Sequence, residues 1–195
     1  MFKLLKNLPK ASTRPFSVIT NVSPLTAISP VDGRYAKQCN PLRAYFSEYA
    51  LIRYRVFVEI QWFKTLFREQ IVTQDPAKVA LVKAQEDFMD KIFTDFSIEN
   101  GERVKEIERT TNHDVKAVEY FLKEQFDLNQ HGLGDLKEYL HFSCTSEDIN
   151  NLAYALMLHH SFADVILPAF KDLEQTLTLK ACELAEVPML CRTHG

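Results

Sequence analysis

The stretch 108-ERTTNHDVKAVEYFLKEQF-126 opens on a crowd of small polar side chains and turns at once into an amphipathic helix. Val115, Val118, Phe121, Leu122 and Phe126 recur at steps of three and four and form one apolar face, while Glu119 and Lys123 make a favourable i,i+4 pair on the other. A second stretch, 141-HFSCTSEDINNLAYALMLHH-160, repeats the design with hydroxyls, then acids, then Ile149, Leu152, Ala153, Leu156 and Met157 at helical spacing. Thr145 with Asp148, or Ser146 with the next turn, resembles a capping box with Asp in place of Glu. Two polar helix starts followed by apolar helical faces predict an all-α fold.

The rest of the chain agrees. Leu42, Tyr45, Phe46, Tyr49, Ile52, Val56, Ile60, Phe63 and Leu66 predict one long amphipathic helix. Pro76 behind Asp75 suits the first turn of a second, running through Val79, Val82, Phe88, Ile92 and Phe93. A short helical piece is expected around Val104 and Ile107, and Gly132 and Gly134 then break the chain. From Ser146 the pattern continues through Phe162, Ile166, Phe170, Leu173, Leu177 and Leu184, with Pro168 expected to kink or interrupt it. So long an apolar face cannot be covered within this chain, which predicts partner helices from elsewhere.

Composition bounds the function. The chain has 195 residues, 46% hydrophobic and 25% charged, enough for a real core. Five glycines and eight prolines favour helices over a turn-rich β architecture. A net charge of -3 carries no basic bias, so nucleic acid is not the expected partner, although a small anion in a local basic pocket is compatible with it. Cys39, Cys144, Cys182 and Cys191 form no Cys-x-x-Cys pair and read as reduced thiols of an intracellular protein. No uninterrupted apolar run approaches the roughly 20 residues of a membrane span, so no membrane is expected. No metal spacing, Gly-rich phosphate loop, Gly-x-Ser-x-Gly elbow or dinucleotide fingerprint is seen.

The first 31 residues carry Lys3, Lys6, Lys10 and Arg14 and no acid before Asp32, which reads either as an organellar transit peptide or as a basic tail. A cytoplasmic protein is expected, with mitochondrion or plastid the alternative. The expected organisation is a basic leader over 1–22, a small helical domain over 23–134, and from 135 to 195 the first long helices of a larger bundle.

Helix starts leave up to four backbone N–H groups without intrahelical partners, at the positive end of the dipole, and so suit anions. Simple capping is the competing account of each polar cluster. His113 fits capping less well, because imidazole is not a preferred cap and brings a titratable group. Asp114 either orients that ring or favours the helix start. His141 is either a member of the second cluster or a buried, hydrogen-bonded histidine.

Taken in order, "SPVDGRY" (29–35), "FSEYALIRYRVFVEIQW" (46–62), "ERTTNHDVKAVEYFLKE" (108–124), "HFSCTSEDINNLAYALML" (141–158) and "RTHG" (192–195) resemble the adenylosuccinate lyase family, in the bacterial-type branch of the fumarase/aspartase superfamily. The resemblance covers 23–195. It implies a C–N lyase (an amidine-lyase) that releases fumarate by β-elimination from adenylosuccinate and from the succinylocarboxamide intermediate of purine biosynthesis, without cofactor or metal. By that resemblance His194 matches the general acid for the leaving amine. Thr145 and Ser146 match hydroxyls that hold the succinyl carboxylate, Arg34 and Tyr35 meet the nucleotide, and Asn112, His113 and Asp114 belong to a substrate-contacting segment. Family members are homotetramers whose sites combine three subunits, and the serine that serves as their general base lies on a loop far downstream of "RTHG". The expectation is therefore an amino-terminal fragment, inactive alone. Two other readings stand beside it: a non-catalytic helical module that binds partners through its apolar face, and a lyase of fumarase or argininosuccinate type.

Overall fold

The computed structural model describes residues 23–190 and 192–193. They fall into two compact units, within Met1–Asn40 and within Pro41–Gly195. Every regular element among them is helical. The leader expected over 1–22 lies outside the described residues.

In the first unit, Ser23 and Thr26 exchange hydrogen bonds, with Ser23 N–H on Thr26 Oγ1 at 2.8 Å and Thr26 N–H on Ser23 Oγ at 3.3 Å. Gly33 is buried, and a Cβ there would meet the Pro24 carbonyl oxygen at 2.7 Å and Ala27 Cβ at 3.0 Å. Only glycine closes this turn without moving backbone. Its closure sets Arg34 and Tyr35 on the surface ahead of α1 (Ala36–Cys39), with the guanidinium 5.4 Å from the Tyr35 ring centroid.

The second unit is built around α3 (Glu48–Arg68), which packs on α2 (Arg43–Phe46), α4 (Pro76–Ala84), α5 (Glu86–Thr94), α6 (Ile98–Thr111), α7 (Asp114–Leu128) and α8 (Ser146–Ser161). Buried residues lie on almost every face of α3, the pattern of a central helix. Ile60, Phe63, Leu66 and Phe67 meet Met89, Phe121, Leu122 and Phe126, with Phe63 and Phe126 edge to face at 5.0 Å. A second cluster joins Tyr54 and Val58 of α3 to Val115 of α7 and Ile149, Ala153 and Met157 of α8. Three charged side chains are buried on α3, and each has an opposite charge: Arg55 with Asp114, Glu59 with His141 and Lys64 with Asp90.

Several expectations needed adjustment. The helix expected from Leu42 onward is interrupted at Ser47, which turns extended and caps α3 by accepting from Ala50 N–H. The helix at Pro76, capped by Asp75 as expected, divides at Gln85 into α4 and α5. The short piece around Val104 and Ile107 is the fourteen-residue α6, opened by a Ser97–Asn100 capping box. Glu119 is buried rather than outward, because Lys116 and Lys123 fold over it at 2.7 and 3.2 Å. Of the two glycines expected to break the chain, Gly132 does so at φ 91°, and a 3-10 helix, Leu133–Tyr139, starts directly after it and takes in Gly134.

Pro168 does not stop the last helix. A π-helical segment, Phe162–Ile166, precedes it, with Leu167 N–H donating to the Phe162 carbonyl, and α9 (Leu167–Glu183) follows with Pro168 in its first turn. The wider turn absorbs the donor that proline lacks. Together they make one 38-residue helix, Ser146–Glu183, long and apolar enough by length and composition to cross a membrane. Its apolar residues are interrupted, so counting an unbroken run misses it.

Candidate functional site

Two helix starts meet on the surface of the second unit. α6 ends at Asn112 in the left-handed conformation, φ 51°, where asparagine is among the few side chains tolerated. His113 follows in extended backbone and is itself the cap of α7, its Nδ1 accepting from Lys116 N–H at 3.2 Å. Imidazole is thus the cap after all. Since Nδ1 accepts, the neutral ring carries its proton on Nε2. That edge lies 3.4 Å from Ser146 Oγ, the first residue of α8.

Thr145 caps α8 in the expected box, its N–H donating to Asp148 Oδ2 at 2.8 Å and its hydroxyl to the same oxygen at 3.0 Å. These bonds hold the Asp148 carboxyl below the ordinary carboxylate range. Two dipole ends therefore converge at a histidine N–H and a serine hydroxyl. The arrangement offers donors to a bound anion, and both side chains that carry them reach the surface.

The starts are joined from behind by Arg55. Its Nη2 donates to Asp114 Oδ2 at 2.6 Å and its Nε to Asn150 Oδ1 at 2.9 Å, and Asn150 in turn donates to Glu147 Oε1 at 3.1 Å. Asp114 Oδ1 accepts from Val115 N–H at 2.9 Å, so both oxygens are engaged. Burial pushes the Asp114 carboxyl up, but Val115 N–H and the Arg55 guanidinium together outweigh it and leave the group below its usual range.

The second cluster has its own anchor. His141, at φ 57°, sets Nδ1 2.6 Å from Oε1 of the fully buried Glu59, and Trp62 Nε1–H donates to the Phe142 carbonyl at 2.9 Å. Of the two alternatives, the hydrogen-bonded histidine is met in part: His141 is bonded to Glu59 but only half-buried, with 18% of its side chain exposed.

Of the residues singled out in the sequence, Asn112, His113, Asp114, Thr145 and Ser146 are brought to one place. Arg34 and Tyr35 lie in the first unit, and His194 lies outside the described residues. Sequence reasoning missed Arg55 and Asn150, whose separations of 59 and 95 positions leave no local pattern. Among the described residues, no group of three or more His, Cys, Asp or Glu side chains is arranged to hold a metal ion.

A family model described as lyase matches residues 33–195. Curated adenylosuccinate lyases align along most of the chain. That of Haemophilus influenzae is 48% identical over 174 residues, 89% of this chain and 37% of its own length. Those of Legionella pneumophila (strain Corby) and Escherichia coli (strain K12) are 46% and 47% identical over 171 and 175 residues, again 37% of each relative. The chain thus spans about 37% of the length of the curated relatives it matches. The match from residue 33 to residue 195 takes in α1 and every helix of the second unit, including both helix starts of the site, and the chain belongs to this lyase family.

Proposed function

We propose that these residues are the amino-terminal part of an adenylosuccinate lyase, a C–N lyase that eliminates fumarate from adenylosuccinate and from the succinylocarboxamide intermediate of purine biosynthesis. The observation that carries the reading is the convergence of His113 Nε2 and Ser146 Oγ at 3.4 Å, on two helix starts whose sequences resemble the family's substrate segments. Such an elimination needs donors for two carboxylates and a phosphate, a base for the Cβ proton and an acid for the departing nitrogen.

In this reading Ser146 and Thr145 receive the succinyl carboxylate, with Ser146 the better placed because the Thr145 hydroxyl already donates to Asp148. His113 offers its Nε2–H to the same end or to the phosphate, and Asn112 lines the approach. Arg34 and Tyr35 meet the nucleotide, and His194 is the general acid. Residues from 135 onward open the larger bundle, and the whole protein acts in the cytoplasm as a homotetramer on a small nucleotide, without nucleic acid, membrane or cofactor.

The test uses the protein continued through the natural sequence after Gly195. It is expected to release fumarate from adenylosuccinate, and His194→Ala is expected to abolish turnover while leaving the oligomer intact. Absence of fumarate release from the unaltered protein, or normal rates in the His194 variant, overturns the assignment.

A further inference from the structure

Asp114 poses a problem for an anion cradle. A carboxylate in the first turn of α7 suits the helix dipole, but it also repels any carboxylate or phosphate approaching His113 next door. Its side chain keeps 46% of its exposure, so its charge faces the same solvent from which a ligand would come. Arg55, 4% exposed, reaches it from beneath the surface and is placed where no ligand need displace it. The guanidinium does not stop there, because its Nε also holds Asn150 in the second turn of α8. One rigid, planar group thus ties the start of α7 to the start of α8.

We propose that Arg55 is a positioning residue of the site: it offsets the charge of Asp114 and fixes the spacing of the two helix starts, so that His113 and Ser146 are preset for an anionic substrate. The inference rests on the lyase reading for the nature of that substrate, but not for the clamp itself. Asp114 is accordingly assigned to the support of the cradle rather than to direct contact with substrate.

Lysine in place of Arg55 keeps the charge but loses the planar fork, and methionine removes both. In the continued, full-length protein, Arg55→Met is expected to raise KM for adenylosuccinate by about 10–100-fold, the size associated with uncovering a paired charge, with kcat changed much less. Arg55→Lys should fall between it and the unaltered protein. Adding Asp114→Asn to Arg55→Met removes the exposed carboxylate and should recover most of the lost KM. If the double variant is no better than Arg55→Met, and Asp114→Asn alone is equally damaging, Asp114 itself binds substrate and the proposal falls.

Hydrogen exchange on the 195-residue chain separates the clamp from the activity. In Arg55→Lys, peptides covering 112–118 and 145–150 should exchange about tenfold faster, while those of α6 away from the site stay unchanged. Uniform acceleration along the chain, or none, marks a merely structural role and overturns the inference. Lack of turnover in the unaltered full-length protein would sink the lyase reading alone, since the exchange result still decides the clamp.

Discussion

His141 and Glu59 form a pair whose worth depends on pH. The imidazole lies against a carboxylate with no exposure, whose other oxygen, Oε2, has no hydrogen-bond partner among the described residues. The bond to Glu59 raises the His141 pKa above its ordinary value; burial works against it, and the Glu59 charge adds to the rise. A folded-state pKa raised above the unfolded value means that the protonated pair stabilises the fold. That contribution is complete below the unfolded histidine value of about 6.5 and is lost as pH rises through the higher folded value. Comparing urea midpoints of the unaltered chain and His141→Gln between about pH 5.5 and 9 should show the largest difference at the acidic end and a shrinking one above neutrality. Parallel curves would mean that the imidazolium contributes nothing. The pair also restrains the turn before α8, where His141 and Ser143 both adopt positive φ, 57° and 59°.

At the scale of the element, the question left by the polar clusters is whether a cap is only a cap. The chain contains its own control, since α6 and α8 open with the same device, Ser97 with Asn100 and Thr145 with Asp148. Ser97→Ala and Thr145→Ala should each cost about 1 kcal/mol of stability, the usual loss for an N-cap hydroxyl. Only the second should also raise KM in the full-length protein. Equal kinetics in the two variants would return Thr145 to simple capping.

The helices themselves were largely legible, because Val115 to Phe126 and Ile149 to Met157 carry their apolar face at helical steps. The interruptions at Ser47 and Gln85 were not, since neither glycine nor proline marks them. Nor was the length of α6, whose surface is mostly charged and whose Gly101 lies against the Tyr49 ring, where a Cβ would sit 3.4 Å away. The site was legible in part for a physical reason. Caps follow local rules at spacings of two or three, which drew attention to Asn112, Thr145 and Ser146, whereas His113 stood out because imidazole is not a preferred cap. The clamp of Arg55 depends on how α3, α7 and α8 pack, and no local spacing records that.

For the molecule as a whole, the long helix Ser146–Glu183 decides how the chain behaves in solution. α9 has no buried residue, and Phe170, Leu173 and Leu177 are 62%, 54% and 61% exposed along one stripe. Fully burying one such side chain is worth roughly 1.5–3 kcal/mol, so a row of them strongly favours association. Two surfaces could cover the stripe: helices of another polypeptide, or lipid, since the same helix satisfies the length and composition of a membrane span. Packing favours the first, because the second unit already buries the opposite end of this helix against α3 through Ile149, Ala153 and Met157. Sedimentation of the 22.5 kDa chain should therefore show concentration-dependent self-association, and Leu173→Glu with Leu177→Glu should reduce it to the monomer. Thermal unfolding should scarcely change, as neither leucine belongs to the core. Co-sedimentation with neutral phospholipid vesicles should recover little protein. A unaltered chain that remains monomeric, or that partitions into vesicles and loses this property in the double variant, would reverse the choice between the two surfaces.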